Sequence, residues 1–285
     1  MTAPVEIRDL RNLPDLRQVI EVEKRVWGYP DAEEAVPLPM LAAGVRRGAI
    51  VLGAFDGGEM IGATYSFPAV RNGRLTQWSH MLGVVDGWRD RGVGQQLKRR
   101  QRERALEMGV DLIEWTFDPL QAANAHFNLV RLGAVVEGFE VNVYGGSSSP
   151  LWRGTESDRF LTQWYIRRPH VERRLLRRGP VIRASEMLVS VCVLEALALG
   201  DVVAPGDTDL KQNAGRLRVE IPAQFAPIQR DHPELAGAWR ERTRAVFTCY
   251  LPCGYRIVDF WVDARRGCGT YLLARHEVAE RRVAA

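Results

Sequence analysis

Apolar and polar residues alternate over Val5–Asp9, which predicts a first strand. From Leu13 to Trp27 the apolar positions take helical spacing (Leu13, Leu16, Val19, Ile20, Val26, Trp27), with Glu23 as a polar break. A loop carrying Pro30, Pro37 and Pro39 follows, then a short helix near Leu41–Arg46. Ala49–Phe55 and Met60–Phe67 read as strands joined by Asp56-Gly57-Gly58-Glu59, a strong hairpin signal. Trp78–Val85 is another apolar run of strand length. Gly94–Met108 reads as an amphipathic helix, with Leu97, Ala105 and Met108 on one side and arginines on the other, and Gly109 closes it. Leu112–Phe117 reads as a strand. Pro119 opens a helix over Leu120–Leu132 that Gly133 ends. Ala134–Tyr144 and Phe160–Ile166 return to alternation, with the polar stretch Gly145–Asp158 between them.

The order β-α-α-β-β-β-α-β-α-β-β, with an antiparallel start and a βαβ centre, predicts an α/β fold: an α+β mixed sheet with helices on its faces. Beyond it, Arg167–Arg183 is dense in arginine and reads as a linker or exposed helix, usually a solvated basic face. Met187–Leu199 is apolar and expected to pack between two parts of the chain or at a homodimer contact. Leu217–Arg275 then shows a strand ending in Glu220-Ile-Pro222, a helix through Trp239–Tyr250, Gly254, and strands at Tyr255–Val262 and Thr270–Arg275 joined by the turn Arg265–Gly269. This βαββ order echoes Leu112–Ile166. Two domains are expected, 1–167 and a C-terminal extension, 168–285.

Composition narrows the function classes. The chain has 285 residues, and its apolar fraction of 46% suits an ordinary globular core. No run is long and apolar enough for a membrane helix, and Met1–Leu10 carries acids where a signal peptide needs an apolar stretch, so no membrane association is expected. Net charge is +4, and the basic residues are nearly all arginine, with lysine only at Lys24, Lys98 and Lys211. Acids are interspersed, so charge alone does not argue for nucleic acid. The four cysteines (Cys192, Cys249, Cys253, Cys268) form no CxxC pair, and a reducing cytoplasm is the simpler reading. Cys249 and Cys253 with Cys268 and a histidine could bind metal, but the spacing is loose for a structural zinc site, and no metal is expected.

The chemistry-bearing segment is His80–Leu97. An apolar strand runs into Arg89-Asp90-Arg91-Gly92-Val93-Gly94, which opens a helix. Successive backbone N–H groups and a helix N-terminus make an anion cradle. The glycines let the backbone approach a phosphate, and Arg89 and Arg91 add charge nearby. The Lys-Ser/Thr of a Walker A loop is absent, and Leu97 stands where a Rossmann fingerprint needs its third glycine.

This segment resembles the GNAT superfamily of acyl-CoA N-acyltransferases, whose Gln/Arg-x-x-Gly-x-Gly/Ala signature follows the fourth strand. The resemblance covers about residues 5–166, and the phrase from Phe117-Asp118-Pro119-Leu120 through Asn124 to Gly133-Ala134 is similar to that of one poorly characterised group. It implies that Leu82, Gly83 and Val84 offer backbone groups to a pantetheine arm. The amides of Arg89 through Gly94, joined by Gln95, would hold the diphosphate, and Asn124 would contact the coenzyme arm. It implies acetyl-CoA as co-substrate and a small-molecule amine as acceptor. The C-terminal βαββ segment reads as a degenerate half copy of the same fold, shaping the acceptor site or making a dimer.

The match departs at the general acid. Many GNAT enzymes carry a tyrosine four residues before the glycine that closes the fourth helix; here that position is Leu129. Amine acylation needs a base, and His80, in phase with Leu82 and Val84, is one candidate. Glu114, mid-strand between Ile113 and Trp115, is the other. His126 and Tyr144 rank lower, and Asp118 is as readily a helix N-cap as a catalyst. Trp27 and Tyr29 would line an acceptor pocket or belong to the core. Three readings follow: an acetyltransferase, a CoA-binding module that kept the fold and lost its acid, and, ranked last, a nucleic-acid-associated protein driven by its arginines.

Overall fold

The computed structural model describes residues 4–29, 34–145, 156–176 and 189–275. Compactness divides it into two units, one of residues up to Trp115 and one from Thr116 onward. The fold is mixed α/β.

In the first unit, β1 (Glu6–Asp9), β2 (Ile50–Asp56), β3 (Glu59–Arg71) and β4 (Arg74–Val84) lie in sequence order, each antiparallel to the next. Then β5 (Leu112–Phe117) pairs parallel with β4. α1 (Leu13–Trp27) is capped by Asn12, whose side chain accepts from the Asp15 amide, and ends at Gly28 with φ 67°. α2 (Leu38–Gly44) packs against α1, and Gly44 lies against Tyr65 of β3. α3 (Val93–Glu107) covers the other face, where Leu97 meets Gly62. The strands β3 and β4 run well past the two apolar runs that the sequence marked, because Asn72 (φ 51°) and Gly73 (φ 74°) form a tight left-handed turn between them.

In the second unit the helix expected over 120–132 is α4 (Ala122–Ala125), which widens into a π-helix at His126–Arg131. β6 (Val135–Glu140) is shorter than the run to Tyr144 predicted, and β7 (Arg159–Tyr165) pairs with it antiparallel. α5 (Pro169–Leu175) forms within the arginine-rich segment, of which residues 177–183 lie outside the described residues. The apolar run is β8 (Val191–Leu199), with Met187 and Leu188 outside the described residues, and β9 (Val202–Thr208) pairs with it. β10 (Arg216–Pro222), α6 (Phe225–Asp231), α7 (Pro233–Tyr250), β11 (Tyr255–Asp263) and β12 (Cys268–Arg275) complete the unit. Its strands run β7-β6-β11-β12-β10-β8-β9.

One core runs across the expected 167/168 boundary. Phe117, Leu129, Val136 and Phe160 pack in a single buried cluster with Trp239, Phe247, Phe260 and Tyr271. The Phe160 ring meets Phe247 at 4.6 Å and Tyr271 at 5.4 Å. Compactness therefore draws its line inside β5, upstream of 167/168.

Candidate functional site

β4 is the spine of the site. Tyr65 of β3 pairs with Met81 and Ser66 pairs with Ser79, so His80 is the extra residue of a β-bulge. The bulge breaks the alternation the sequence implied. Leu82 and Val84 stay on the α3 face, opposite Thr64 and Gly62, whereas His80 turns to the other face. Its ring lies 5.9 Å from that of Tyr65 and 6.2 Å from that of Phe67. His80 keeps an exposed edge, yet the crowding desolvates it and lowers its pKa below the ordinary histidine value. Register also places Trp78 and Glu114 on that face with Phe67. Glu114 is engaged in an ion pair with Arg71 of β3.

The parallel ladder between β4 and β5 is short. Gln77 faces Ile113 and Trp78 faces Glu114, and the two strands share no further register among the described residues. From Ser79 onward, β4 presents toward β5 the backbone groups that β3 does not use. Gly83 is glycine because α1 lies close: a Cβ there would stand 2.9 Å from the Trp27 ring. Trp27 is thus packed on β4. Nearby, Glu23 is 3% exposed and accepts from the Val36 amide at 3.0 Å; burial raises its pKa to about 7. Burial, with Glu23 and Glu34 adding to it, raises Tyr29 to about 12.

Beyond β4 the chain turns with Gly87 (φ 83°), Asp90 (φ 60°) and Gly92 (φ 83°) in the left-handed region. Gly92 is the N-cap of α3 and makes no side-chain cap, and a Cβ there would meet nothing within 4 Å. Gln96 is the first amide to donate into the helix, to the Gly92 carbonyl at 3.1 Å. Among the described residues nothing accepts from the amides of Val93, Gly94 and Gln95. The side-chain Nε2 of Gln95 is likewise buried with no acceptor. The arginines stand beside this donor cluster: Arg89 donates to the Val84 carbonyl (3.2 Å) and pairs with Asp86 (3.0 Å), while Arg91 lies over the Trp88 ring at 5.1 Å. Such a cluster of outward N–H groups fits a phosphate.

Sequence reasoning missed Lys98. It is 3% exposed on the sheet-facing side of α3, and its ammonium donates to Ser79 Oγ (2.9 Å) and Gln101 Oε1 (2.9 Å) and lies 4.1 Å from the Trp115 ring centroid. Burial lowers its pKa to about 7. Its rarity in an arginine-rich chain was the available signal.

In the second unit, Asn124 is exposed on α4 and Leu129 is 1% exposed in the core. Asp118 is held by Arg240 through two bonds (2.7 and 3.0 Å) and accepts from the Leu120 amide at 2.9 Å, so it braces the turn after β5. Tyr144 bonds Thr116 through its hydroxyl at 2.9 Å, and burial lowers the pKa of His126. Cys268 is buried, Cys253 exposed, and all four cysteines are unpaired thiols. Among the described residues no group of three His, Cys, Asp or Glu gathers at metal-ligand distance, and no helix is long and apolar enough to cross a membrane.

No family model matches the chain, and no curated protein does. Solved structures similar to it are acetyltransferases. A GNAT-family acetyltransferase from Streptococcus pneumoniae has 17% identity and a TM-score of 0.46, covering 56% of this chain and 98% of its own. The paia N-acetyltransferase from Thermoplasma acidophilum, solved in complex with coenzyme A, has 17% identity and a TM-score of 0.42, with 57% and 99% covered. The ribosomal-protein-S18-alanine N-acetyltransferase from Escherichia coli has 15% identity and a TM-score of 0.45, with 57% and 94% covered.

Proposed function

We propose that this chain transfers an acyl group, acetyl in the first instance, from acyl-CoA to a primary amine of a small molecule. The observation that carries the reading is the donor cluster at the start of α3, three backbone amides and the Gln95 amide without acceptors, placed at the end of a strand that has parted from its parallel neighbour. A diphosphate supplies the missing acceptors, with the 89–94 turn around it. The backbone groups of Leu82, Gly83 and Val84 that β3 does not use suit the amides of a pantetheine arm, and Asn124 is assigned to the same arm.

The attacking amine must be neutral, so a proton has to leave it. His80, with its exposed edge and lowered pKa, is neutral at physiological pH and able to take that proton. Glu114 shares its face, its charge balanced by Arg71. Positioning the thioester supplies much of the remaining rate. Four unpaired cysteines suit a reducing cytoplasm.

One observation favours a second reading, a CoA-binding module without turnover: the position of the usual acid is Leu129, sealed in the core. Calorimetry with acetyl-CoA and desulfo-CoA tests both readings, and absence of binding overturns both. Thiol release from acetyl-CoA across a panel of primary amines, amino acids included, separates them; the transferase reading expects release with at least one amine, with His80→Ala slowing it.

A further inference from the structure

The place where β4 and β5 part is occupied by a built polar group. Trp78 and Glu114 form the last paired register. The next residue of each strand, Ser79 and Trp115, touches the Lys98 ammonium. Ser79 Oγ accepts twice, from Lys98 Nζ at 2.9 Å and from Gln101 Nε2 at 3.1 Å. A serine hydroxyl has two acceptor sites and one proton. Both acceptor sites are filled by donors, so the proton points elsewhere, and among the described residues nothing accepts it.

Length places a thioester there. Because His80 is an extra bulge residue, β4 advances about 14 Å from Ser79 to Val84 at strand rise. The donor cluster for the diphosphate begins just beyond. A pantetheine arm, with two amides and a comparable count of backbone bonds, covers about that length when extended. Its sulfur then arrives at the base of the slot.

Resting on the transferase reading, we propose that Ser79 is the acid toward the leaving thiolate and that Lys98 supplies its proton, in place of the tyrosine that Leu129 replaces. The amine nitrogen bonds to the thioester carbon and the C–S bond breaks. The sulfur takes the Ser79 proton, Ser79 Oγ takes one from the Lys98 ammonium, and Lys98 is left as a neutral amine. The amine substrate gives up one proton to water or His80, and Lys98 recovers one from water, so the products are an amide and a free thiol with no net proton change. Burial that holds Lys98 near neutrality makes either of its forms accessible. Gln101 fixes the serine rotamer, and Lys98 acts only through Ser79.

The test uses the full chain with acetyl-CoA and an amine that supports thiol release. Ser79→Ala is expected to lower kcat about 100-fold while leaving KM for acetyl-CoA and the calorimetric affinity for desulfo-CoA within about twofold. Ser79→Thr, which keeps the hydroxyl, should recover turnover to within about tenfold of wild type. Lys98→Met should follow Ser79→Ala, and the double variant should be no slower than either, as groups in one relay are not additive. Wild-type kcat in Ser79→Ala, or joint loss of desulfo-CoA affinity and thermal stability with no rescue by threonine, overturns the proposal alone. A wild-type chain that binds no desulfo-CoA overturns the transferase reading and takes this proposal with it.

Discussion

Val136 on β6 and Ile257 on β11 face each other across an antiparallel junction, and each stands three residues past a glycine in the left-handed region, Gly133 (φ 72°) and Gly254 (φ 84°). The equivalence extends outward. Each glycine follows a helix, each strand carries a register shift just after the facing residue (Val136/Gly138 and Ile257/Asp259), and each pairs antiparallel on its far side with the next strand, β7 or β12. The same helix–glycine–hairpin unit thus occurs twice in the second unit, joined first strand to first strand. The pairing with β11 fills the β6 edge that would otherwise be open.

A chain ending at residue 167 should therefore fail to fold as a soluble monomer. It keeps β6 and β7 but loses β11, Trp239, Phe247 and Tyr271 from the core around Phe160. The expected result is aggregation, or a noncooperative urea transition by circular dichroism and tryptophan fluorescence. A monomeric fragment with a sharp two-state transition would show the segment after residue 167 to be dispensable.

Asp118 tests whether a residue of the βα turn after β5 is structural. Arg240 is 5% exposed and donates two hydrogen bonds to the Asp118 carboxylate. Removing one partner of a buried pair leaves a charge uncompensated. Asp118→Ala should cost about 3 to 5 kcal/mol in urea denaturation, and adding Arg240→Met should return part of that loss. If Asp118→Ala is as stable as wild type yet loses turnover, Asp118 is catalytic instead.

Much of the first unit was legible because its elements are local. The hairpin at Asp56–Glu59 and the helix after Gly92 follow from turn chemistry and period, as does the Gly133 stop in the second unit. The Asn72-Gly73 turn carried the same signal and would have extended β3 and β4 across Pro68–Gln77. His80 was misplaced for a different reason: a bulge adds one residue to one strand only, and nothing in the alternation of Trp78–Val85 announces it. Lys98 was hidden because its partners Ser79 and Trp115 come from strands on either side of α3 in sequence, so the cluster exists only once β4 and β5 are parallel neighbours. Arg240 against Asp118 is a longer version of the same problem.

Glu23 should make stability depend on pH. Its pKa rises from the ordinary 4.5 to about 7 on folding, because burial outweighs the Val36 hydrogen bond. The folded state holds the proton more tightly than the unfolded chain. The contribution is complete below about pH 4.5 and is lost as pH rises through about 7, a change of up to about 3 kcal/mol at 1.36 kcal/mol per pH unit. Glu23→Gln keeps an acceptor for Val36 without the ionisation. In urea melts it should match wild type near pH 4.5 and exceed it at pH 8; equal midpoints at both values would remove the pH role assigned to Glu23.

Gln95 offers the most direct check on the donor cluster. Its Nε2 is buried without an acceptor, and a buried donor without a partner costs about 1 to 3 kcal/mol. Gln95→Leu removes that donor while keeping an apolar side chain of similar size, so the free protein should become no less stable. The bound state moves the other way, since a diphosphate that accepts a hydrogen bond from Nε2–H would lose a charge-assisted bond. Affinity for acetyl-CoA should fall about 10-fold, or 1.4 kcal/mol, while melting temperature holds or rises. Gly92→Ala provides the contrast: no atom lies within 4 Å of its Cβ, so its loss of affinity would come from the strain of φ 83° and should appear in stability as well. Unchanged acetyl-CoA affinity in Gln95→Leu, measured by calorimetry beside a stable Gly92→Ala that also binds normally, would mean that the turn after β4 does not grip the coenzyme.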